Sequence, residues 1–336
     1  MQPKSLRECQ VQFDALLTAL GIPLSLSASE KLERLRAMPA RDLVEAAASL
    51  DLHEFRACSG ASDGDGSFVR SSLFADIDSG AFARQLREAG VQIIIGEVSD
   101  EHWVYAGWRP PKAETLQAVK ERLYADYERA AVNAVVREVY CPGPTSFVDR
   151  SGKEEGKIGS GQEPQLPTIQ GVKCQSWREA FGRIYADLQV HALSRGFIAA
   201  LSRHGAPDLV RRYRIEWRAS CVERAGVPKK FGVTHGTDMT SVWFFGNGVS
   251  GGLSADEKDV VRRFAGPLWE WMCGRGWGSE EAWGAKGVRE ARILMGDGTT
   301  GAWTDGMWDE GVRVRDVARK AVREERGKGK QRVSKL

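Results

Sequence analysis

A chain of 336 residues accommodates one large α/β domain or two ordinary ones. Its 42% hydrophobic and 28% charged residues exclude a wholly disordered chain, and no apolar run approaches the roughly 18 residues a membrane-spanning helix needs. The net charge is only +3, yet ten Lys or Arg against three acids follow position 310, so the body is mildly acidic and offers no face for nucleic acid.

The first predicted element is a helix in which Cys9, Phe13, Leu16, Leu17 and Leu20 share one face. Ser27 and Glu30 fit a capping box that opens a second helix, and Pro39 suits the first turn of a third. Residues 59–67 hold only Gly, Ser, Asp and Ala and must be loop. The run Val91 to Ile95, ended by Gly96, is apolar on both faces and predicts a strand in the middle of a sheet. Helix returns from Lys112 to Tyr140. The segment from about 141 to 171, rich in Pro, Gly and charge, reads as a flexible insertion. Ser176 and Glu179 match a capping box before a long helix bearing Trp177, Phe181, Ile184 and Leu188. Val210 to Trp217 predicts a second strand. Gly232 to Gly246 is a loop leading into an aromatic run, and Ser254 with Glu257 opens a helix to about Cys273. A Trp- and Gly-rich segment extends to Trp308, and the basic end reads as a solvated, disordered tail. Strands alternating with long helices predict a parallel or mostly parallel sheet, with too few strands to be complete.

The six cysteines form no CxxC pair, which argues against a zinc ribbon or a thioredoxin-type redox site. Nothing in the sequence calls for a metal or cofactor. The one GxSxG match, Gly60 to Gly64, is followed by Asp63-Gly64-Asp65-Gly66, which cannot open the helix a nucleophile elbow requires, so Ser62 is not read as a nucleophile. As a calcium loop the same segment lacks its first and last ligands. Asp187 and His191 lie four apart on one helix face without a third metal ligand, and read as a hydrogen-bonded pair near a core. The tryptophans at 269, 271, 277, 283, 303 and 308 read as pins for an irregular segment rather than as sugar platforms.

Two segments carry chemistry. Gly96 to Glu101 follows the predicted strand at its C-terminal end, where α/β sheets collect catalytic groups. Gly232-Val233-Thr234-His235-Gly236-Thr237-Asp238 follows the second strand, and its glycine-bracketed histidine suits general-base work if a carboxylate orients the ring.

In this order the pieces resemble the type-B carboxylesterase (cholinesterase-like) family of α/β-hydrolases, from Gln12 to about Val317, interrupted near Gly143 to Gly171. Val91 to Glu101 resembles the family's strand and acid turn, with its Gly-x-x-x-Asp-Glu pattern. Val233 to Asp238, backed by Val242-Trp243-Phe244-Phe245-Gly246, resembles its histidine loop. Ile184 to His191 and Tyr213 to Trp217 are similar to the helix and last strand of fungal and bacterial members. The resemblance implies Glu101 as catalytic acid and His235 as catalytic base. It also implies a departure, because such triads run Ser, then Glu or Asp, then His, with the serine over a hundred residues before the acid.

The resemblance therefore implies a partial α/β-hydrolase fold over residues 1–317, comprising the C-terminal strands and helices without the nucleophile-bearing half, followed by a tail over 318–336. It implies a serine carboxylic-ester hydrolase with acid and base but no nucleophile, inactive alone. The strand at 91–95 would need a companion chain bearing its neighbours. The alternative is a non-catalytic, cholinesterase-like binding protein. The N-terminus lacks the apolar core of a signal peptide, which points to the cytoplasm unless the chain starts partway through its fold.

Overall fold

The computed structural model describes residues 6–50, 69–142, 165–276 and 280–333, plus the backbone pairs 147–148 and 154–155, with backbone only beyond 325. The GxSxG match, the rejected calcium loop and Trp277 lie outside the described residues, as does most of the 141–171 insertion. Within that insertion, Phe147–Val148 pairs antiparallel with Glu154–Glu155, and Thr168–Ile169 pairs with Val172–Lys173 just beyond it.

The chain divides into two compact units, Met1–Asp78 with Ala125–Tyr127, and Ser79–Tyr124 with Glu128–Leu336. The first unit is helical. α1 (Leu6–Ala19) buries Leu17, and α2 (Ala28–Ala37) opens on the predicted capping box, its Ser27 and Glu30 bonding reciprocally. α3 (Ala40–Ser49) takes Pro39 as its N-cap rather than in its first turn, and α4 (Leu73–Ser79) closes the segment.

The second unit is an α/β layer around a four-stranded sheet. Following α5 (Ala81–Glu88), the strands β1 (Ile93–Val98), β2 (Val210–Ile215), β3 (Glu290–Leu294) and β4 (Thr300–Thr304) lie side by side in chain order. β1, β2 and β3 run parallel, with Ile93 opposite Val210 and Tyr213 opposite Arg292; β4 returns antiparallel to β3. The sheet is thus mixed and mostly parallel.

Among the described residues β1 pairs only with β2, so its other side stands open, and Ile93, Ile94 and Ile95 are half-buried. Its run is apolar on both faces because separate clusters cover both: Ile93 and Ile95 pack with Ile198, Leu209 and Trp308, while Ile94 packs with Leu268 and Trp283. Coverage of the faces says nothing about hydrogen bonding at the edges. The β3–β4 hairpin went unread inside the Trp-rich segment, although its turn holds Asp297-Gly298, with Gly298 at positive φ.

Helices follow β1 in the order α6 (His102–Gly107), α7 (Leu116–Tyr124), α8 (Arg129–Val135) and α9 (Trp177–Ala186), so the predicted 112–140 helix is broken at its centre. At α9 the Ser176 hydroxyl accepts from the Glu179 N–H, while Glu179 accepts from the Gln175 N–H instead of completing the box. α10 (Ala192–Arg203) continues α9 through a wide turn in which the Ala192 N–H bonds Asp187 five residues back. α11 (Ser220–Arg224) follows β2, and α12 (Ala255–Met272) opens on a complete Ser254–Glu257 capping box. α13 (Glu280–Trp283) leads to β3, and the Trp283 indole N–H donates to the Arg212 carbonyl at 3.2 Å.

α12 carries Pro267, which has no N–H for the Arg263 carbonyl. Arg292 of β3 answers that carbonyl and its neighbour: its guanidinium donates to the Arg263 and Phe264 carbonyls at 2.9 Å each and to the Trp283 carbonyl at 2.8 Å. The last helix, α14 (Trp308–Val333), runs through most of the stretch read as a disordered tail. It packs along α8 and α10, buries Val314 and Val322, and lays the Arg315 side chain over Gly196. An apolar stripe inside a charged run supplied the helix; composition alone hid it.

Candidate active site

The two predicted residues meet. His235 Nδ1 lies 2.6 Å from Glu101 Oε2 across 134 residues of chain. The Glu101 side chain is 5% exposed and the His235 side chain 53%, so a buried carboxylate holds a half-exposed ring. A carboxylate at Nδ1 fixes the proton there in the neutral ring and leaves the lone pair on Nε2. The other Glu101 oxygen accepts the Val98 N–H at 3.2 Å, which sets the plane of the carboxylate. The Tyr105 ring packs 5.5 Å from the imidazole, centroid to centroid.

Local structure dictates this meeting. Where β1 ends, the Ser99 N–H still bonds the Ile215 carbonyl, keeping the acid turn beside the end of β2. Asp100, adjacent to the acid, then laces the two loops together. Its N–H donates to the Val233 carbonyl at 3.0 Å, and its carboxylate accepts the Val233 N–H at 3.0 Å. Gly232 makes room for this: it sits at φ +54°, and a Cβ there would lie 2.4 Å from the Asp100 carboxylate. Arg218 holds the Gly232 carbonyl from behind.

Beyond the histidine the loop is pinned twice more. The Thr234 hydroxyl accepts the Val104 N–H at 3.2 Å, and the Thr234 carbonyl accepts from the Thr237 N–H and hydroxyl. Asp238 accepts from the Tyr213 hydroxyl at 3.2 Å and from the Trp243 N–H at 3.3 Å. Tyr213 reaches it because the facing residue on β1 is Gly96, where any Cβ would lie 2.3 Å from the ring. Burial, then Asp238, pushes the Tyr213 phenol well above its ordinary range.

His102 follows Glu101 directly but is a different group. Burial first, and the Arg183 charge second, pull it down to about 4, so its ring is neutral at physiological pH. Sequence reading missed Asp100 and Gly232 as supports. Asp100 stands inside the Asp-Glu pattern, and Gly232 bounds the histidine loop, so both signals were present.

Asp187 and His191 do not act as a pair. Asp187 accepts from the Tyr140 hydroxyl at 2.8 Å and Gln170 at 3.2 Å, whereas His191 Nδ1 meets Glu97 at 2.9 Å. Among the described residues no group of three or more His, Cys, Asp or Glu is placed to hold a metal.

Glu97 anchors a buried ionic cluster. Arg214 Nη1 donates to it at 2.6 Å and Arg195 Nη2 lies 3.6 Å away. Arg195 and Arg212 share Asp305, at 2.7 Å and 2.6 Å, with the Trp303 and Trp308 rings against Arg212. Burial by itself would raise the Glu97 carboxyl, but His191, Arg195 and Arg214 outweigh it and hold Glu97 well below the usual range. Burial would likewise lower His191, and the Glu97 charge overrides it, raising His191 above its ordinary value.

No protein-family profile matches the chain. Two curated relatives do. A carboxylic ester hydrolase of Gibberella moniliformis is 35% identical over 98% of this chain and 54% of its own length. An uncharacterised esterase/lipase of Schizosaccharomyces pombe is 33% identical over 94% of this chain and 52% of its own. The chain is similar to both of these proteins over nearly all of its own length. It spans about half the length of the curated relatives it matches.

Among solved structures, the chain resembles Aspergillus niger EstA, with a TM-score of 0.54 at 15% identity over 93% of this chain and 55% of that one. It also resembles juvenile hormone esterase of Manduca sexta, with a TM-score of 0.57 at 13% identity over 95% and 57%. These likenesses are consistent with the α/β fold of the described sheet and helices. No described helix is long and apolar enough to cross a membrane.

Proposed function

We propose that this chain supplies the acid and base of a serine carboxylic-ester hydrolase, with Glu101 orienting His235 as general base. The single observation carrying this reading is the 2.6 Å contact between a half-exposed imidazole and a buried carboxylate, each on a loop at the same end of the sheet. The esterase names of both curated relatives support the reaction class. In the reaction, His235 Nε2 takes the proton of a serine hydroxyl as the oxygen attacks the ester carbonyl, then returns it to the departing alcohol. Glu101 keeps the ring in the right tautomer and stabilises the imidazolium.

The nucleophilic serine and the oxyanion N–H donors are, in this proposal, carried by polypeptide additional to the described residues. It comprises the remaining, nucleophile-bearing half of the hydrolase fold and docks along the open side of β1. Two facts favour this: the chain matches about half of each relative, and β1 shows one paired side only among the described residues. An esterase lacking nucleophile and oxyanion hole has essentially no turnover, since removing a triad serine alone costs on the order of a millionfold in a well-studied protease.

The test is complementation with the part of the Gibberella relative that this chain does not match, assayed on p-nitrophenyl butyrate. We expect hydrolysis by the combination and none by the 336-residue chain. His235→Ala should then cost on the order of a millionfold in kcat, and Glu101→Gln about ten-thousandfold. Hydrolysis by the combination that survives His235→Ala overturns the roles. Hydrolysis by the chain alone that depends on His235 keeps the roles and overturns the separate nucleophile.

A further inference from the structure

The buried cluster around Glu97 touches the candidate site through one peptide. Glu97 and Val98 are consecutive at the end of β1. On one side of their shared peptide, the Glu97 carboxylate is fixed by His191 Nδ1 at 2.9 Å and Arg214 Nη1 at 2.6 Å, with Arg195 at 3.6 Å. On the other, the Val98 N–H donates to Glu101 Oε1 at 3.2 Å and leaves Oε2 for His235. Three cations from α10, its preceding turn and β2 thus converge on the residue whose following amide orients the acid.

The ionic character of the cluster needs a reason. The β1–β2 register, Glu97 opposite Arg214, is already held by the backbone ladder. Burying charges costs several kcal/mol each, and well-packed apolar residues in their place are commonly as stable or more so. What fixed ion pairs add is a unique geometry, because a bidentate or charge-assisted contact admits few side-chain arrangements. Here that geometry is imposed on the amide that sets the acid's carboxylate plane.

We propose that Glu97, clamped by His191 and Arg214, is a positioning residue for the acid: it fixes the Val98 N–H against Glu101 and through Glu101 orients His235. This rests on the reading of Glu101 and His235 as the acid–base pair. It adds Glu97, His191 and Arg214 to the residues on which proton transfer depends, although none of them touches substrate.

NMR of the full chain tests it, using two signals: the downfield Nδ1 proton of His235 and the hydrogen exchange of the Val98 amide. Glu97→Gln and His191→Gln should each speed exchange at both positions by about tenfold, while amides of the β3–β4 hairpin stay unchanged. Should Glu97→Gln fail to fold, His191→Gln, which keeps an N–H donor for Glu97, and Arg214→Lys decide the matter. Glu101→Gln is the control and should move the His235 proton upfield. If the control moves it and the Glu97, His191 and Arg214 variants leave both signals untouched, the positioning proposal fails while the acid–base reading stands. If Glu101→Gln itself leaves the His235 proton in place, the acid–base reading fails.

Discussion

Two carboxylate–imidazole pairs stand four residues apart on one strand end, and they are built in opposite ways. Glu101–His235 joins two loops and has one partner buried and one half in solvent. Glu97–His191 is buried on both sides, 3% and 5% exposed, and is gripped by arginines. A ring that must exchange protons with a substrate needs an open edge and freedom to change charge. A ring whose charge holds strands and helices together needs neither. The same two side-chain chemistries therefore separate by environment into reactivity and architecture.

The largest effect that can break this contrast is on stability. Glu97→Ala leaves His191, Arg214 and Arg195 facing one another without their carboxylate and should cost about 3–5 kcal/mol in denaturant unfolding. A loss below about 1 kcal/mol would make the cluster incidental. Gly232→Ala comes next, because it forces a Cβ onto the Asp100 carboxylate in a left-handed backbone. It should cost about 1–3 kcal/mol and raise hydrogen exchange at Val233. Unchanged protection there would mean that Asp100 does not lace the loops.

The pH dependence of stability sharpens the contrast. Glu97 is held below its ordinary 4.5, so its contribution is present above that pH and is lost as pH falls through its folded value. His191 is held above 6.5, so its contribution is complete below 6.5 and fades as pH rises through its folded value. The groups facing them are Arg195 and Asp187 on the same helical run and Arg214 on β2. For this pair, stability is greatest between about 4.5 and 6.5, and His191→Gln should flatten the alkaline limb of unfolding measured against pH. The smallest effect is expected at the other pair: His235→Ala should change unfolding by no more than about 0.5 kcal/mol, as for a surface position. A loss comparable to Glu97→Ala would erase the distinction.

How far the sequence reveals this arrangement follows from where each signal is stored. Glu101 and His235 are legible because the acid closes a short turn just past a strand and the histidine sits in a glycine-bracketed loop. Glu97 is not, since a Glu between Gly96 and Val98 looks like ordinary strand alternation and its partners come from positions 191, 195 and 214. Caps at Ser27, Ser176 and Ser254 are local and legible; only the return half of the Ser176 box is not, because Gln175 draws the Glu179 side chain away. The β3–β4 hairpin hid behind its tryptophans, and α14 behind its charge.

The proline inside α12 has an evolutionary corollary. Restoring an amide at that position would satisfy the Arg263 oxygen from within the helix and leave part of the Arg292 fork redundant inside the protein. Trading Arg292 for an aliphatic residue first would instead orphan the Arg263 oxygen, so of the two positions, 25 apart in sequence, only 267 can change ahead of the other.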